Sequence, residues 1–470
     1  MSLYCFIDKY ILLPLADKLM RRGISKEWRL LTKTDWISEQ ELIDLQSVRL
    51  RKLITHCYAN VPYYTKLFDR LGLKPEDIQT HNDLQKLPIL TKQIICDNYQ
   101  DLISSDITQR HTLQASTGGS TGKPLRFLKD IKTWNAAWAV NFRAWNWYGV
   151  NLGDRFFTFG GNSLVKQSKV KKHISYKNLF DKLILNTIKE DCSDLSEEAM
   201  INHYNKMIKA RPKFLRGYPS AINYLALFIS KNHLSIPSLK AVITTGETLL
   251  PQYRHNIRNV FKAPVYDTYG AADGGIAAHE CTKHEGLHIS EERCVIEIVD
   301  KYGSVVDNGK TGFLVSTDLE NYSMPFVRYL VGDMAYIKKE KCSCGRASRL
   351  IGEVLGRSGK VLTTKFGVPY TSVVVDNMMF LNMDYHTPLH QTIYNKMKRF
   401  QVRQDKNGDI EILIIPKDTN EPMTTFAYIK DNFCKNFPGS LVTIKFVSEI
   451  PTMPSGKEDY CVSEYEYEKL

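Results

Sequence analysis

The 470-residue sequence lacks a long apolar run. Its first apolar stretch, residues 10–16, is interrupted by Pro14 and flanked by charged residues, whereas a bilayer span needs about 20 apolar residues. No secretory signal is evident, and most of the ten cysteines are scattered singly, which argues against a disulfide framework. Internal repeats and low-complexity tracts are also missing. We therefore expect a cytoplasmic protein without a transmembrane segment. Contact of residues 4–20 with a membrane surface is an alternative that the sequence leaves open.

The sequence does contain an excess of basic residues. Lys and Arg number 63 against 51 for Asp and Glu, giving a net charge of +12, which favours anionic partners such as nucleotides, nucleic acid or an acidic membrane. Apolar residues make up 43% and charged residues 24%, the balance of a globular protein. The basic clusters at 166–172 and 396–399 lack regularly interleaved aromatic residues. We expect them to be solvated, and we expect no nucleic-acid partner.

The hydrophobic pattern changes along the chain. Apolar residues recur at helical spacing after Ser38, and residues 38–110 are predicted to be mainly helical. From about 112 to 330, short strands are expected to alternate with helices. A strand at 240–245 followed by a helix at 251–261 and a strand near 265–268 is typical of an α/β sheet.

The last hundred residues have a different pattern. Residues 400–403 and 409–415 flank Asp405-Lys406-Asn407-Gly408, which is a strong hairpin signal. A helix near 422–437 and a strand at 441–447 follow. This order predicts a small α+β unit.

The segment with the most candidate ligand-binding groups is the glycine-rich loop Ala115-Ser116-Thr117-Gly118-Gly119-Ser120-Thr121-Gly122-Lys123-Pro124. Its glycines allow backbone N–H groups to approach phosphate oxygens, and its hydroxyl groups and lysine add donors and charge. The spacing is not that of a Walker A loop, because Thr117 replaces a required glycine and Pro124 replaces the Mg²⁺-binding serine or threonine. Strand-like flanks place the loop in a hairpin. A flexible surface turn is the alternative.

Further short motifs follow in a fixed order. They are Asp267-Thr268-Tyr269-Gly270-Ala271-Ala272-Asp273, Arg328-Tyr329-Leu330-Val331-Gly332-Asp333, Gly356-Arg357 and Pro454-Ser455-Gly456-Lys457. With the glycine-rich loop, this series resembles the phosphate, aromatic, ribose, hinge and C-terminal lysine motifs of the adenylate-forming (acyl-CoA synthetase-like) superfamily. The resemblance is to the branch of phenylacetate–CoA ligases and CapK-like capsular polysaccharide proteins. Each motif is weak alone, but their common order makes the series specific.

The resemblance implies an α/β fold with a large N-terminal domain and a small, mobile C-terminal α+β lid. Residues 1–110 would form the mainly helical part of the large domain, and 111–356 its core that binds ATP and the acid. Residues 357–470 would form the lid.

The resemblance also implies roles for individual residues. The residues expected to bind the nucleotide are Ser116, Thr117, Gly118, Gly119, Ser120, Thr121, Gly122, Lys123, Gly246, Glu247, Asp267, Tyr269, Gly270, Asp333 and Arg357. Among these, Tyr269 would stack on adenine and Asp333 would accept hydrogen bonds from the ribose hydroxyls. Asp273 would bind Mg²⁺, and Lys457 would stabilise the charge that develops on the α-phosphate.

The implied reaction activates a small-molecule carboxylic acid with ATP, releasing pyrophosphate, and transfers the acyl group to coenzyme A or an amine. The segments 59–64 and 87–92 resemble polysaccharide-cluster proteins, which suggests a role in surface polysaccharide synthesis. Two departures stand out: Asp273 replaces the usual glutamate, and Gly359 stands where an acid is common. They favour the alternative of a nucleotide-binding protein without ligase activity. A homodimer is left open.

A second group of residues has the donor types of a metal site. Two thiols lie close together in Cys342-Ser343-Cys344-Gly345, and Cys281 lies upstream among several histidines. Thiolates and imidazoles suit tetrahedral Zn²⁺, and some relatives in the resembled branch carry such a structural zinc. The expected ligands are Cys281, His288, Cys342 and Cys344, with His284 and His279 competing for the fourth position. Reduced thiols without metal are the alternative.

Overall fold

The computed structural model describes most of the chain. The described residues are 2–116, 125–160, 164, 180–192, 197–236, 238–357, 362–366, 369–370, 375, 378–379, 396–450 and 460–465. Within these ranges, no helix is both long enough and apolar enough to cross a bilayer.

Helices dominate the N-terminal part. They are α1 (Leu3–Ile7), α2 (Leu13–Leu19), α3 (Ile24–Thr34), α4 (Glu39–Asn60), α5 (Pro62–Leu71) and α6 (Lys92–Asp97). A capping box starts α4: the Ser38 hydroxyl accepts from the Glu41 N–H, and the Glu41 carboxylate accepts from the Ser38 N–H. Three short 3₁₀ turns are described here, at Pro75–Asp77, His81–Lys86 and Ile107–Gln109. The helical prediction for 38–110 is confirmed.

A hairpin follows, formed by β1 (Thr112–Ser116) and β2 (Arg126–Asp130) in antiparallel register. It confirms the hairpin expected around the glycine-rich loop. Residues 117–124, which join the two strands, lie outside the described residues.

The centre of the protein is a mixed sheet, in which eleven strands are described. In spatial order they are β10 (Cys294–Val299), β11 (Gly312–Asp318), β12 (Tyr329–Ile337), β13 (Leu350–Arg357), β9 (Leu287–Ile289), β8 (Ile276–Glu280), β7 (Val265–Ala271), β6 (Ala241–Thr245), β5 (Phe214–Gly217), β3 (Phe156–Gly160) and β4 (Thr187–Asp191). The strands from β4 to β7 are parallel, and every later pairing is antiparallel.

Helices cover both faces of the parallel half. They are α7 (Ile131–Trp147), α8 (Glu197–Ala210), α9 (Pro219–Lys231) and α10 (Pro251–Phe261). One face packs on α3 and α7, and the other packs on α8, α9 and α10. Burial on both faces explains why β6 reads as an almost continuous apolar run. The predicted strand–helix–strand unit 240–268 is confirmed.

The expected alternation of strands and helices to residue 330 is wrong beyond β7. From Val265 to Arg357 the described chain forms strands joined by turns, without a helix. Antiparallel neighbours need no crossover helix, so short turns suffice to connect them.

The C-terminal residues form a second sheet with the spatial order β18 (Val442–Phe446), β17 (Ile410–Pro416), β16 (Met397–Gln404) and β19 (Cys461–Ser463). The helix α11 (Ala427–Asn436) follows a 3₁₀ turn at Met423–Phe426, and two short strands, β14 (Leu362–Thr363) and β15 (Pro369–Tyr370), pair nearby. Buried side chains such as Val402, Ile412 and Phe433 give this unit its own core. The hairpin, helix and strand expected for this unit are confirmed.

A π-helical turn at Asp8–Leu12 joins α1 to α2. Its first residue, Asp8, is fully buried, and neither carboxylate oxygen has a hydrogen-bond partner among the described residues. Burial disfavours the charged form and raises the pKa of Asp8 from 3.8 to about 8. The folded protein therefore retains a proton that the unfolded chain releases above pH 4.

We predict that Asp8→Asn becomes progressively more stable than wild type as the pH rises. A raised carboxyl pKa stabilises the fold at low pH, and this contribution is lost between about pH 4 and 8, at about 1.4 kcal/mol per pH unit at most. Asparagine does not titrate, so the free-energy difference from denaturant unfolding should grow from pH 6 to 8. The exposed control Asp44→Asn should show no such trend. A pH-independent difference for Asp8→Asn would contradict the prediction.

Candidate functional site

Asp267 lies on β7, close to where the parallel strands end. Its Oδ1 accepts a hydrogen bond of 2.7 Å from the Thr244 hydroxyl, and its own N–H donates over 2.8 Å to Glu280 Oε2. Burial raises the pKa of the Asp267 carboxyl to about 7, against the lowering effect of the Thr244 hydrogen bond. A carboxyl group with such a pKa can accept or donate a hydrogen bond near neutral pH.

Glu280 ends β8 and is buried beside Asp267. The Arg254 guanidinium of α10 pairs with both of its oxygens, at 2.9 and 3.1 Å. The Tyr148 hydroxyl donates to the Glu280 backbone carbonyl over 2.7 Å. Glu280 thus fixes β7 to β8 and to two helices, so that Asp267 has a defined position.

Tyr269 and Asp333 meet across the sheet. The Tyr269 hydroxyl donates to Asp333 Oδ2 over 2.6 Å, although the two residues are 64 positions apart in sequence. Gly332 has a φ of +94°, a conformation that suits glycine, immediately before Asp333 on β12. The backbone of Arg357 on β13 is in register with Asp333, while its side chain lies outside the description.

Asp273 follows β7 in a tight turn. The buried Tyr329 hydroxyl donates to Asp273 Oδ2 over 2.9 Å. In the same turn, Gly275 has a φ of +67°, and a Cβ there would collide with the Asp318 carboxylate. The backbone of this turn therefore packs against Asp318 of β11, while the Tyr329 hydroxyl positions the Asp273 carboxylate.

Lys129 on β2 is a neighbour that the sequence did not indicate. Burial lowers the pKa of its ammonium group to about 8; Arg293 lowers it further, whereas Asp318 and Asp273 raise it. The sequence predicts the hairpin, but the burial of Lys129 near Arg293, Asp273 and Asp318 depends on contacts with distant segments.

The segment between β6 and α10 contains Gly246 and Glu247. Gly246 has a φ of +84°, and Glu247 Oε2 accepts over 3.2 Å from the Ser220 N–H in the first turn of α9. A helix N-terminus and a carboxylate therefore meet at the edge where the parallel strands end, which is the usual ligand-binding edge of such sheets.

The remaining predicted residues are only partly described. Ser116 is the exposed last residue of β1, and Gly270 is exposed on β7. The predicted loop residues Thr117, Gly118, Gly119, Ser120, Thr121, Gly122 and Lys123, as well as Lys457, lie outside the described residues.

Arg216, next to the end of β5, is a further side chain that the sequence did not single out. It is in register with Thr158 on β3 and Ile243 on β6, and its guanidinium carbon lies 5.6 Å from the centre of the Trp145 ring. Among the described side chains, no carboxylate pairs with it. Burial lowers the pKa of Arg216 to about 10, which reflects the cost of a cation there.

Four donor side chains converge at the far end of the antiparallel half. Their potential ligand atoms all lie within 4.8 Å of one another, with 3.5 Å between the sulfurs of Cys281 and Cys342 and 3.4 Å between the Cys344 sulfur and His288 Nε2. Thiolates about 2.3 Å from a tetrahedral zinc would lie about 3.8 Å apart. The donor set and its spacing therefore fit a four-coordinate metal.

Neighbouring groups orient these donors. Ser348 Oγ lies 2.9 Å from His288 Nδ1, which leaves Nε2 to face Cys344. Burial lowers the pKa of His288 to about 4 and keeps the imidazole neutral, as a metal ligand requires. Burial raises the pKa of the Cys344 thiol, but hydrogen bonds from Arg346 outweigh this effect and leave it lowered.

The two competing histidines have other partners. His279 Nε2 lies 3.1 Å from Asn141 Oδ1, on the face covered by α7. The His284 ring stacks on Tyr266 with 5.1 Å between centroids, and its Nδ1 lies 3.3 Å from Glu280 Oε2. Of the histidines considered, the structure places His288 with the three cysteines.

Comparison with known proteins gives related sequences but no matching family model. Protein CapK of Staphylococcus aureus is 23% identical over 429 residues, which cover 90% of this chain and 89% of CapK. The phenylacetate–coenzyme A ligase of Thermus thermophilus is 25% identical over 335 residues, which cover 69% of this chain and 72% of the ligase.

Solved structures with the same fold include 2-hydroxyisobutyryl-CoA ligase. In its postadenylation state, in complex with R3-HIB-AMP, that enzyme superposes with a TM-score of 0.72 at 16% identity, covering 92% of this chain and 91% of the ligase. In its thioesterification state, the same ligase gives a TM-score of 0.58. The chain thus has the fold of the adenylate-forming ligases and resembles CapK and the phenylacetate–coenzyme A ligases over most of its length.

Proposed function

We propose that the protein is an AMP-forming acid–thiol ligase. A carboxylate oxygen of the substrate attacks the α-phosphorus of ATP and pyrophosphate leaves; the thiol sulfur of coenzyme A then attacks the acyl carbon and AMP leaves. The observation that carries the proposal is the meeting of Tyr269 and Asp333 beside Asp267. These residues belong to separate motifs of the resembled family, and one of the relatives is named as a phenylacetate–coenzyme A ligase.

In this proposal the residues at the ends of the parallel strands bind the nucleotide. Tyr269 stacks on adenine, Asp267 contacts its edge and Asp333 binds the ribose. Residues Ser116–Lys123 surround the β- and γ-phosphates, and Gly246, Glu247, Gly270 and Arg357 complete the site. Lys457 stabilises the negative charge that develops during adenylation.

Asp273 would hold Mg²⁺ with the help of nearby oxygen donors. The turn that carries it packs against Asp318 of β11, which supplies a second carboxylate, and oxygen donors suit this ion. The ion would neutralise phosphate charge. The shorter side chain of aspartate, compared with glutamate, is compatible with this role because Tyr329 fixes its position.

A lid formed by residues 357–470 would move between the two half-reactions. The separate core of the C-terminal unit supports this proposal. A second support is that this chain superposes differently on two states of 2-hydroxyisobutyryl-CoA ligase, with TM-scores of 0.72 for the postadenylation state and 0.58 for the thioesterification state. The resemblance to CapK over 90% of the chain is the basis for proposing a role in surface polysaccharide synthesis. An amine is the alternative acceptor.

Arg216 would bind a second polar or anionic group of the acid substrate. Its guanidinium lies near the end of a parallel strand, against an aromatic ring, and no described carboxylate neutralises it. A buried cation of this kind is stabilised by an anionic ligand. We therefore expect hydroxy, keto or dicarboxylic acids to be preferred over plain aryl acids.

The cluster of Cys281, His288, Cys342 and Cys344 would hold a structural zinc. Because all four ligands come from the protein, the metal would have no open position for catalysis. It would join the turn after β8 to the turn between β12 and β13. The second turn adjoins β12 and β13, which carry Asp333 and Arg357, and the first follows β8, which pairs with β7.

We predict that ATP–pyrophosphate exchange depends on an acid and on Lys457. Lys457→Ala should lower exchange by about 100-fold or more, because it removes a charge that acts in the transition state. The matched control is Lys445→Ala, which removes an exposed lysine of the same unit. Exchange can be measured over hydroxy, keto, dicarboxylic, fatty and aryl acids.

Equal exchange by wild type and Lys457→Ala would show that Lys457 does not stabilise the charge that develops during adenylation. Nucleotide binding without pyrophosphate release for any acid would instead support a nucleotide-binding protein without ligase activity.

We predict that Arg216→Gln raises the KM for the preferred acid by about tenfold or more and leaves the KM for ATP near its wild-type value. The lost charge-assisted hydrogen bond is typically worth about 1.5–3 kcal/mol. Arg258→Gln, on the exposed side of α10, is the control. If both variants have the wild-type KM for the acid, Arg216 does not bind it.

We predict that the purified protein contains about one zinc ion per chain and that Cys342→Ser lowers this content towards zero, because the site loses a thiolate. The melting temperature should fall by several degrees. Metal analysis and thermal unfolding test this, with the exposed Cys96→Ser as control. Wild-type protein without metal, or equal zinc in Cys342→Ser, would contradict the proposal.

A further inference from the structure

The N-terminal rod, defined as α1, the π turn and α2 (Leu3–Leu19), exposes large apolar side chains along its length. The exposed residues of this face are Leu3, Phe6, Tyr10, Ile11, Leu15 and Leu19. Leu3 and Leu19, at the two ends, have 76% and 74% of their surface exposed. Single exposed apolar residues need no explanation, but a contiguous row of them is typical of an interaction surface.

The π turn makes this row continuous. Buried residues occur at Cys5, Asp8, Leu13 and Asp17, so the step from Asp8 to Leu13 is five residues rather than three or four. The extra residue rotates the second half of the rod by about 100° relative to an uninterrupted α-helix. Without it, Ile11, Leu15 and Leu19 would lie on a different side from Leu3 and Phe6.

In the rod and the following helix no acidic residue is fully exposed, since the partly exposed Glu27 pairs with Arg49 at 3.5 Å. Asp8 and Asp17 are buried, and Asp17 accepts hydrogen bonds from the Ser25 N–H at 2.7 Å and the Ser25 hydroxyl at 2.6 Å. The exposed charges of this region are basic, at Lys18, Arg21, Lys26, Arg29 and Lys33. The surface beside the apolar face therefore has a positive potential, which an anionic partner complements.

The rod is attached firmly to the rest of the protein. Leu13 is fully buried in the core that α3 and α7 form with the sheet, and the Tyr4 hydroxyl donates over 2.7 Å to the Leu183 carbonyl. Its apolar row is thus a fixed feature of the folded surface. A partner that covers this row would also orient the large α/β part.

We propose that the rod lies flat on the surface of an anionic lipid bilayer, with its apolar row in the boundary between headgroups and acyl chains. The basic residues would contact lipid phosphates. A second copy of the chain fits less well, because pairing identical faces would bring like charges together. Tyr10, which combines an apolar ring with a polar hydroxyl, also suits the bilayer interface.

The test is flotation of the full-length protein with two kinds of vesicle, phosphatidylcholine mixed with phosphatidylglycerol in equal parts and pure phosphatidylcholine. Wild type should bind the mixed vesicles and bind pure phosphatidylcholine more weakly. The variant Ile11→Gln/Leu15→Gln/Leu19→Gln should bind about 100-fold more weakly, because it removes three apolar side chains from the interface. Glutamine is a good helix former, so the fold should be unchanged.

A matched control is Tyr302→Gln/Leu441→Gln, which removes exposed apolar side chains elsewhere. It should bind as wild type does. Lys18→Glu/Lys26→Glu should weaken binding to the mixed vesicles by about tenfold or more. Added salt should also weaken the binding of wild type to these vesicles, because it screens the charges. All variants should keep the wild-type rate of ATP–pyrophosphate exchange without vesicles, which separates this test from that of the proposed function.

The proposal is wrong if wild type binds neither vesicle, or if the triple variant binds the mixed vesicles as tightly as wild type. It is also wrong if wild type dimerises through this face, shown by dissociation of a dimer in the triple variant, and does not bind vesicles.

Discussion

The candidate site depends on the buried carboxylate of Glu280. Its two oxygens receive the Arg254 guanidinium, and one of them also accepts the N–H of Asp267. A buried carboxylate without these donors would be strongly destabilising. The hydrogen bonds to Glu280 therefore hold β7, β8 and α10 together. The next residue along the chain is Cys281 of the cysteine–histidine cluster. One side chain thus fixes the strand that carries Asp267 and Tyr269, and also the start of the turn that supplies the first thiol.

The two ends of the antiparallel half have complementary roles. At one end, β7 and β12 bring Tyr269 to Asp333, and the backbone of β13 lies beside them. At the other end, the turn after β8 and the turn between β12 and β13 bring three cysteines together with His288 of β9. Because β-strands transmit position along their length, a bond between the turns also fixes the register of the strands.

The sequence alone was sufficient to predict the elements whose signals lie close together in the chain. The capping residues before α4, the unit from β6 through α10 to β7 and the C-terminal hairpin all follow from turn residues and periodicity close in the chain. The antiparallel pairing of β8 to β13 could not be predicted in the same way, since it depends on contacts between distant segments. Lys129 and Arg216 could not be predicted in this way either. Lys129 is buried near two carboxylates, whereas Arg216 is buried without a described carboxylate partner, and both environments depend on contacts between distant segments. The phosphate loop and Lys457 were recognised from their motifs, and they remain predictions.

The separate core of the C-terminal sheet has an energetic consequence. Val402, Ile412 and Phe433 are fully buried within that unit, so a rigid rotation of the unit would not bring them into contact with water. Contacts towards the large sheet include the hydrogen bond of 3.4 Å from the Tyr224 hydroxyl to the Lys398 carbonyl, which water can replace at little cost. If the unit moves as proposed, its two orientations need to differ by only a few kcal/mol for the binding of one small molecule to decide between them.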